Sequence, residues 1–174
     1  EFGCGGTIAK LIEDGNDVYY VAFSICEKSV PKHLPSNILA SEARQATKEL
    51  GIKEDHLIIL NFEVRVFPSC RQTILEEIIK IRTLLKPDIV FIPSLNDIHQ
   101  DHKTVAEEVV RAFKFSTIFC YELPWNNFHF KNELFISLKA EHIEKKISAI
   151  SKYNSQGFRD YANEDFIQAL ARTR

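Results

Sequence analysis

The amino-acid sequence predicts an α/β protein, a Rossmann-like three-layer α/β/α sandwich with a mainly parallel sheet of about five strands. Two observations favour this class. Short apolar segments alternate with amphipathic helical segments, and a polar cluster directly follows the most apolar segment. Strands are predicted at residues 17–24, 56–61, 89–93, 117–123 and 134–138. Helices are predicted at residues 7–14, 36–50, 73–85, 103–113, 140–153 and 163–172.

The strands are recognised as short apolar runs bounded by turn residues. Residues 17–24 carry apolar side chains in alternation on both faces. Ile89–Pro93 is apolar throughout and follows Pro87 and Asp88, which is typical of a strand buried on both faces.

The helices are recognised from apolar residues at helical spacing and from residues that end a helix. Residues 73–85 place Ile74, Ile78, Ile81 and Leu85 at that spacing. Residues 36–50 stop at Gly51, a typical helix terminator. Residues 7–14 follow a glycine cluster that permits a tight turn.

Composition is that of an ordinary globular protein. The 174 residues are 45% hydrophobic and 26% charged, with a net charge of -2, so there is no electrostatic case for nucleic acid as a partner. No apolar run is long enough to span a bilayer. We expect one domain over residues 1–174 and a cytoplasmic protein. Four widely spaced cysteines are predicted to be reduced core residues: Cys4, Cys26, Cys70 and Cys120.

The most informative segment is residues 96–103, which holds two histidines and two aspartates directly after Ile89–Pro93. Side chains at the carboxyl end of a strand lie where open α/β sheets bind their ligands. Imidazole and carboxylate groups are the usual ligands of a catalytic zinc. By itself the pattern equally fits a polar turn that caps a helix beginning near Lys103.

Four segments in order resemble the PIG-L (LmbE-like) family of zinc-dependent N-acetylglucosamine de-N-acetylases. They are Gly3–Ala9 with its following helix, Glu42 and Arg44 before Leu50-Gly51-Ile52, Lys86–Phe91, and His99-Gln100-Asp101-His102. The family pattern places a strand and an H-P-D-D-E motif just before the glycine turn. The resemblance therefore implies a chain truncated at its N-terminus and at its C-terminus, inactive by itself, with a gap where the first strand belongs.

The resemblance also implies roles for the motif. His102 would ligate Zn²⁺, and the absent motif would supply two further ligands and the general base. His99 would stabilise the oxyanion or protonate the leaving amine, and Asp101 would orient His99 and raise its pKa by proximity.

Two loops could bind substrate. Trp125, Asn126 and Asn127 follow the fourth strand and suit the face and hydroxyls of a sugar, or else form a turn anchored by the tryptophan. Arg65 and Arg71 follow the second strand and could pair with a phosphate, or else are solvated loop charges.

The sequence thus predicts a zinc hydrolase that removes the acetyl group from an N-acetylated sugar or glycoconjugate, with homo-oligomer formation left open. The alternative is a non-catalytic α/β module that binds a nucleotide or sugar.

Overall fold

A computed structural model describes residues 1–174 and shows an α/β protein with six α-helices and four short strands. The helices are α1 Gly5–Glu13, α2 Ile38–Glu49, α3 Arg71–Leu85, α4 Gln100–Ala112, α5 Ala140–Ser151 and α6 Glu164–Thr173. The strands are β1 Tyr20–Ala22, β2 Leu57–Ile59, β3 Ile89–Pro93 and β4 Thr117–Tyr121. No helix is both long and apolar enough to cross a membrane.

The strands form two parallel pairs. Strand β1 pairs with β2, with Val21 opposite Ile58, and β3 pairs with β4, with Phe91 opposite Phe119. Both pairs join strands separated in sequence by a helix, which is the connection that parallel pairing requires. The predicted α/β class with parallel strands is confirmed.

The chain divides into two compact units. The first unit contains residues Glu1–Phe62 and Glu133–Arg174, and the second contains Glu63–Asn132. The prediction of one domain over the whole chain stays a prediction.

The core of the first unit lies among α1, α2 and α5. Alanines fully removed from solvent (Ala9, Ala46 and Ala149) let these helices approach closely, and Leu50 fills the space beside them. Burying one such leucine contributes about 1.5–3 kcal/mol. Helix α2 ends as predicted, because Gly51 has a φ of 93° and its N–H donates to the carbonyl of Lys48 over 2.9 Å.

The second unit packs α3 on α4 and α4 on β3. Ile74 and Ile78 of α3, Ala106 and Val109 of α4, and Ile92 of β3 are buried. The β3–β4 pair and α4 together fix the segment that follows β3.

One predicted strand is absent. Residues 134–138 form no strand, because their backbone has no ladder partner, and Leu134 and Phe135 are 54% and 62% exposed. The prediction of four core cysteines holds only in part: all four are free and Cys4 packs against the core of the first unit, but Cys26 and Cys70 are half-buried and Cys120 is exposed.

Candidate active site

The candidate site lies in the second unit, where two loops leave the carboxyl ends of β3 and β4. The loops are joined by backbone hydrogen bonds. Ser94 N–H donates to the carbonyl of Tyr121 over 3.1 Å, and Ile98 N–H donates to that of Asn126 over 2.9 Å. Parallel strands direct both carboxyl ends to one edge, so residues of both loops meet there as the sequence predicted.

His102 is held by a buried aspartate that the sequence analysis gave no role. Nδ1 of His102 lies 2.9 Å from Oδ2 of Asp97, whose side chain is fully buried. Because an ionised carboxylate can only accept, Nδ1 carries the ring proton and Nε2 offers its lone pair. A carboxylate behind the far nitrogen is the usual partner of a metal-binding histidine.

Asp97 also organises its surroundings. Its Oδ1 accepts the N–H of His99 over 2.7 Å, and the amide nitrogen of Asn126 lies 3.5 Å from Oδ2 and 3.3 Å from Nδ1 of His102. The signal that could have found Asp97 is its place in the loop ahead of the histidines, since metal-binding histidines commonly have a carboxylate partner.

His99 caps helix α4. Its Nδ1 accepts the N–H of Asp101 over 3.2 Å, so the neutral ring carries its proton on Nε2. The ring stacks on that of His102, with centroids 4.5 Å apart. The helix therefore begins at Gln100 rather than Lys103, and the capping turn and the histidine cluster are the same feature.

Asp101 acts on the pKa of His99 in the predicted direction, upwards, but the net shift of that pKa is downwards. Partial burial lowers the pKa of His99, and the neighbouring His102 lowers it further. The carboxylates of Asp101 and Asp97 act in the opposite direction but do not prevail.

Asp101 also does not orient the ring of His99 through its carboxylate. Its Oδ2 accepts the N–H of Arg65 over 2.5 Å, and its Oδ1 accepts the N–H of Phe67 over 3.3 Å. Both oxygens therefore bind the segment before α3, and only the backbone of Asp101 reaches His99.

Arg65 and Arg71 separate in the structure. Arg65 is exposed and lies close enough for its charge to lower the pKa of His99. Arg71 instead pairs with Glu108 over 2.6 Å and Glu107 over 3.0 Å, and Arg111 pairs with Glu108 over 2.5 Å. Arg71 is thus paired with two carboxylates, and its predicted contact with a phosphate stays a prediction.

The loop after β4 is a turn whose three predicted residues differ in position. Asn126 contacts the Asp97–His102 pair. Asn127 accepts the N–H of Leu123 over 3.0 Å through Oδ1, while its buried amide nitrogen has no hydrogen-bond partner. Trp125 is half-buried in the same turn. Of the three, Asn126 joins the histidine cluster directly.

The residues present fit a zinc ion in part. His102 has the arrangement of a ligand, yet no three His, Cys, Asp or Glu side chains come together to hold a metal. A catalytic zinc takes about three protein ligands, so His102 would need two that these residues do not bring beside it.

The chain belongs to the PIG-L family. The family model described as GlcNAc-PI de-N-acetylase matches residues 1–113, and this family is one of deacetylases. The chain is 29% identical over 161 residues to the uncharacterized deacetylase YaiS of Escherichia coli K12. The aligned region covers 89% of this chain and 84% of YaiS.

Solved structures share the fold. The N,N'-diacetylchitobiose deacetylase of Pyrococcus horikoshii has a TM-score of 0.77 at 23% identity, covering 99% of this chain and 71% of its own. The zinc-inhibited form of the teicoplanin deacetylase Orf2 has a TM-score of 0.76 at 15% identity. The match covers 99% of this chain and 87% of the Orf2 chain. At these identities the likeness concerns the fold.

Proposed function

We propose that this protein is a zinc-dependent hydrolase that removes the acetyl group from an N-acetylated sugar or sugar conjugate. One observation carries the proposal: the buried Asp97 engages Nδ1 of His102 and leaves Nε2 of a site histidine available beside His99. Membership of a deacetylase family and the location at the strand ends support it.

His102 would be one zinc ligand, and its orientation would be set by Asp97. Bound zinc would polarise the amide carbonyl and lower the pKa of a water molecule. The chain's own contribution is then to fix the direction of the His102 imidazole and to make Nε2 a better electron-pair donor, which a buried carboxylate on Nδ1 achieves.

His99 supplies the second group. With Nδ1 occupied by the N–H of Asp101, its Nε2–H points away from the helix backbone as a donor. A donor held in this way stabilises a developing oxyanion by hydrogen bonding, without giving up its proton.

Substrate would be held by the loops after β2 and β4. Asn126 lies beside the histidines and can bond to sugar hydroxyls, and Trp125 lies in the same turn. Arg65 is an exposed cation whose charge acts on His99.

The test is acetate release from three substrates by the full-length protein with zinc: N-acetylglucosamine, its nucleotide diphosphate conjugate, and an acetylated peptide. We expect turnover of a sugar substrate. Turnover of the peptide alone would contradict the sugar assignment. Sugar binding without any acetate release would favour the non-catalytic module instead.

A further inference from the structure

The segment before α3 is fixed by the first turn of α4. The N–H groups of Arg65 and Phe67 both donate to the carboxylate of Asp101, over 2.5 and 3.3 Å. The side-chain amide of Gln100 donates to the carbonyl of Arg65. Three hydrogen bonds therefore hold the backbone on both sides of Arg65, and the carboxylate that accepts two of them is buried.

Arg65 adopts an unusual backbone conformation under this restraint. Its φ is 72°, in the left-handed region that residues with a Cβ rarely occupy. Such a conformation persists where surrounding bonds over-determine it, and it is concentrated at functional sites. Here the over-determining bonds come from two residues of the H-Q-D-H motif itself.

The guanidinium of Arg65 has no carboxylate partner, unlike those of Arg71 and Arg111. Arg71 and Arg111 both pair with Glu108, and Arg82 donates to the carbonyl of Ala112. Arg65 is exposed, and its charge acts on His99. An exposed guanidinium without a carboxylate partner, on a backbone fixed by the His99–His102 motif, is suited to bind a phosphate or carboxylate in a bidentate manner.

We propose that Asp101 is a positioning residue that holds residues 65–67 so that Arg65 presents its guanidinium to an anionic group on the substrate. This differs from the role implied by family resemblance, in which Asp101 orients His99. The inference rests on the proposed function for the identity of the sugar and deepens it, because it requires an N-acetylated sugar that carries a negative charge.

The positioning step is tested by amide hydrogen exchange in Asp101→Asn, which keeps one acceptor oxygen and replaces the other with a donor. We expect the amide of Arg65 or Phe67 to exchange about tenfold faster, as befits the loss of one hydrogen bond worth about 1.4 kcal/mol. Unchanged protection of both amides would overturn the positioning role.

Recognition is tested by titrating N-acetylglucosamine and N-acetylglucosamine 1-phosphate into wild type, Arg65→Asn, Asp101→Asn and the double variant. Asparagine removes the charge yet tolerates the left-handed backbone. We expect wild type to prefer the phosphate at least tenfold, each single variant to lose that preference, and the double variant to lose no more, since the two residues act as one unit. A third probe, N-acetylmuramic acid, distinguishes a carboxylate from a phosphate.

The matched control is Arg71→Asn, which removes the same charge from a residue already paired with Glu108 and should keep the preference. Equal affinity of wild type for neutral and charged probes, or no binding of either charged probe, overturns the anion site. If Asp101→Asn lowers acetate release equally for both sugars and keeps the preference, Asp101 acts through His99 instead. Absence of acetate release from every sugar would defeat the proposed function, while exchange and binding would still report on Asp101 and Arg65.

Discussion

The carboxylate of Asp97 lies 2.9 Å from Nδ1 of His102 and is fully buried, while the ring of His102 is 37% exposed. The buried partner thus sets the direction of a ring whose other nitrogen is available to a ligand.

Replacing Asp97 with asparagine should weaken zinc binding by about 10- to 100-fold, the scale on which such carboxylate partners act. The reason is that the asparagine would place an amide nitrogen where Oδ2 of Asp97 now lies, and this nitrogen cannot accept the Nδ1–H of His102. Zinc affinity of the full-length protein, measured by competition with a chelator, checks this, with thermal unfolding as the control for folding. Unchanged affinity would mean that Asp97 serves only the loop backbone.

Arg71→Ala should destabilise the protein by about 1–2 kcal/mol, because Arg71 bonds to the buried carboxylate of Glu108 but is itself partly exposed. Arg111 remains to compensate Glu108, which limits the loss. Urea unfolding measures the effect. Substrate affinity should not change, and a large rise in KM for a phosphorylated sugar would restore Arg71 to the binding site.

The contact between α1 and α5 should contribute acid-sensitive stability. Hydrogen bonds from Lys139 and His142 lower the pKa of Glu13 to about 2. Because the folded pKa lies below the unfolded one, near 4.3, the contribution is present above about pH 4 and is lost as the pH falls towards 2. The difference in free energy of unfolding between wild type and Glu13→Gln should therefore shrink over this range. A difference independent of pH would contradict the assignment.

The 174-residue chain by itself should bind zinc weakly. His102 is not joined by two further ligand side chains among these residues, and one imidazole cannot fix the geometry of the ion. Isothermal titration of this chain checks the prediction. Stoichiometric binding tighter than about 1 μM, near -8 kcal/mol, would show that ligands of another kind complete the site.

Much of the fold could be predicted from local pattern. The helices α3 and α5 and the strands β3 and β4 follow from apolar spacing, and Gly51 ends α2 because its positive φ suits glycine. Residues 134–138 could not be predicted correctly, since strand formation depends on a partner rather than on the segment itself.

The site was predictable in location but not in its hydrogen bonds. The histidines were found because they follow an apolar strand. Two partners could not be read from sequence, because Asp101 bonds to the backbone of Arg65 and Arg71 pairs with Glu108, and both contacts join segments that only tertiary packing brings together. The contact between Asp97 and His102 lies within one short segment, and only its geometry required the structure.

The division of roles between the two stacked histidines is the central claim, and zinc content per molecule tests it most directly. In the full-length protein, His102→Ala should lose zinc by elemental analysis. His99→Ala should keep the metal while kcat falls by about 10²–10³, the usual effect of removing one oxyanion donor. Equal loss of zinc in both variants, or full zinc retention in His102→Ala, would contradict this account.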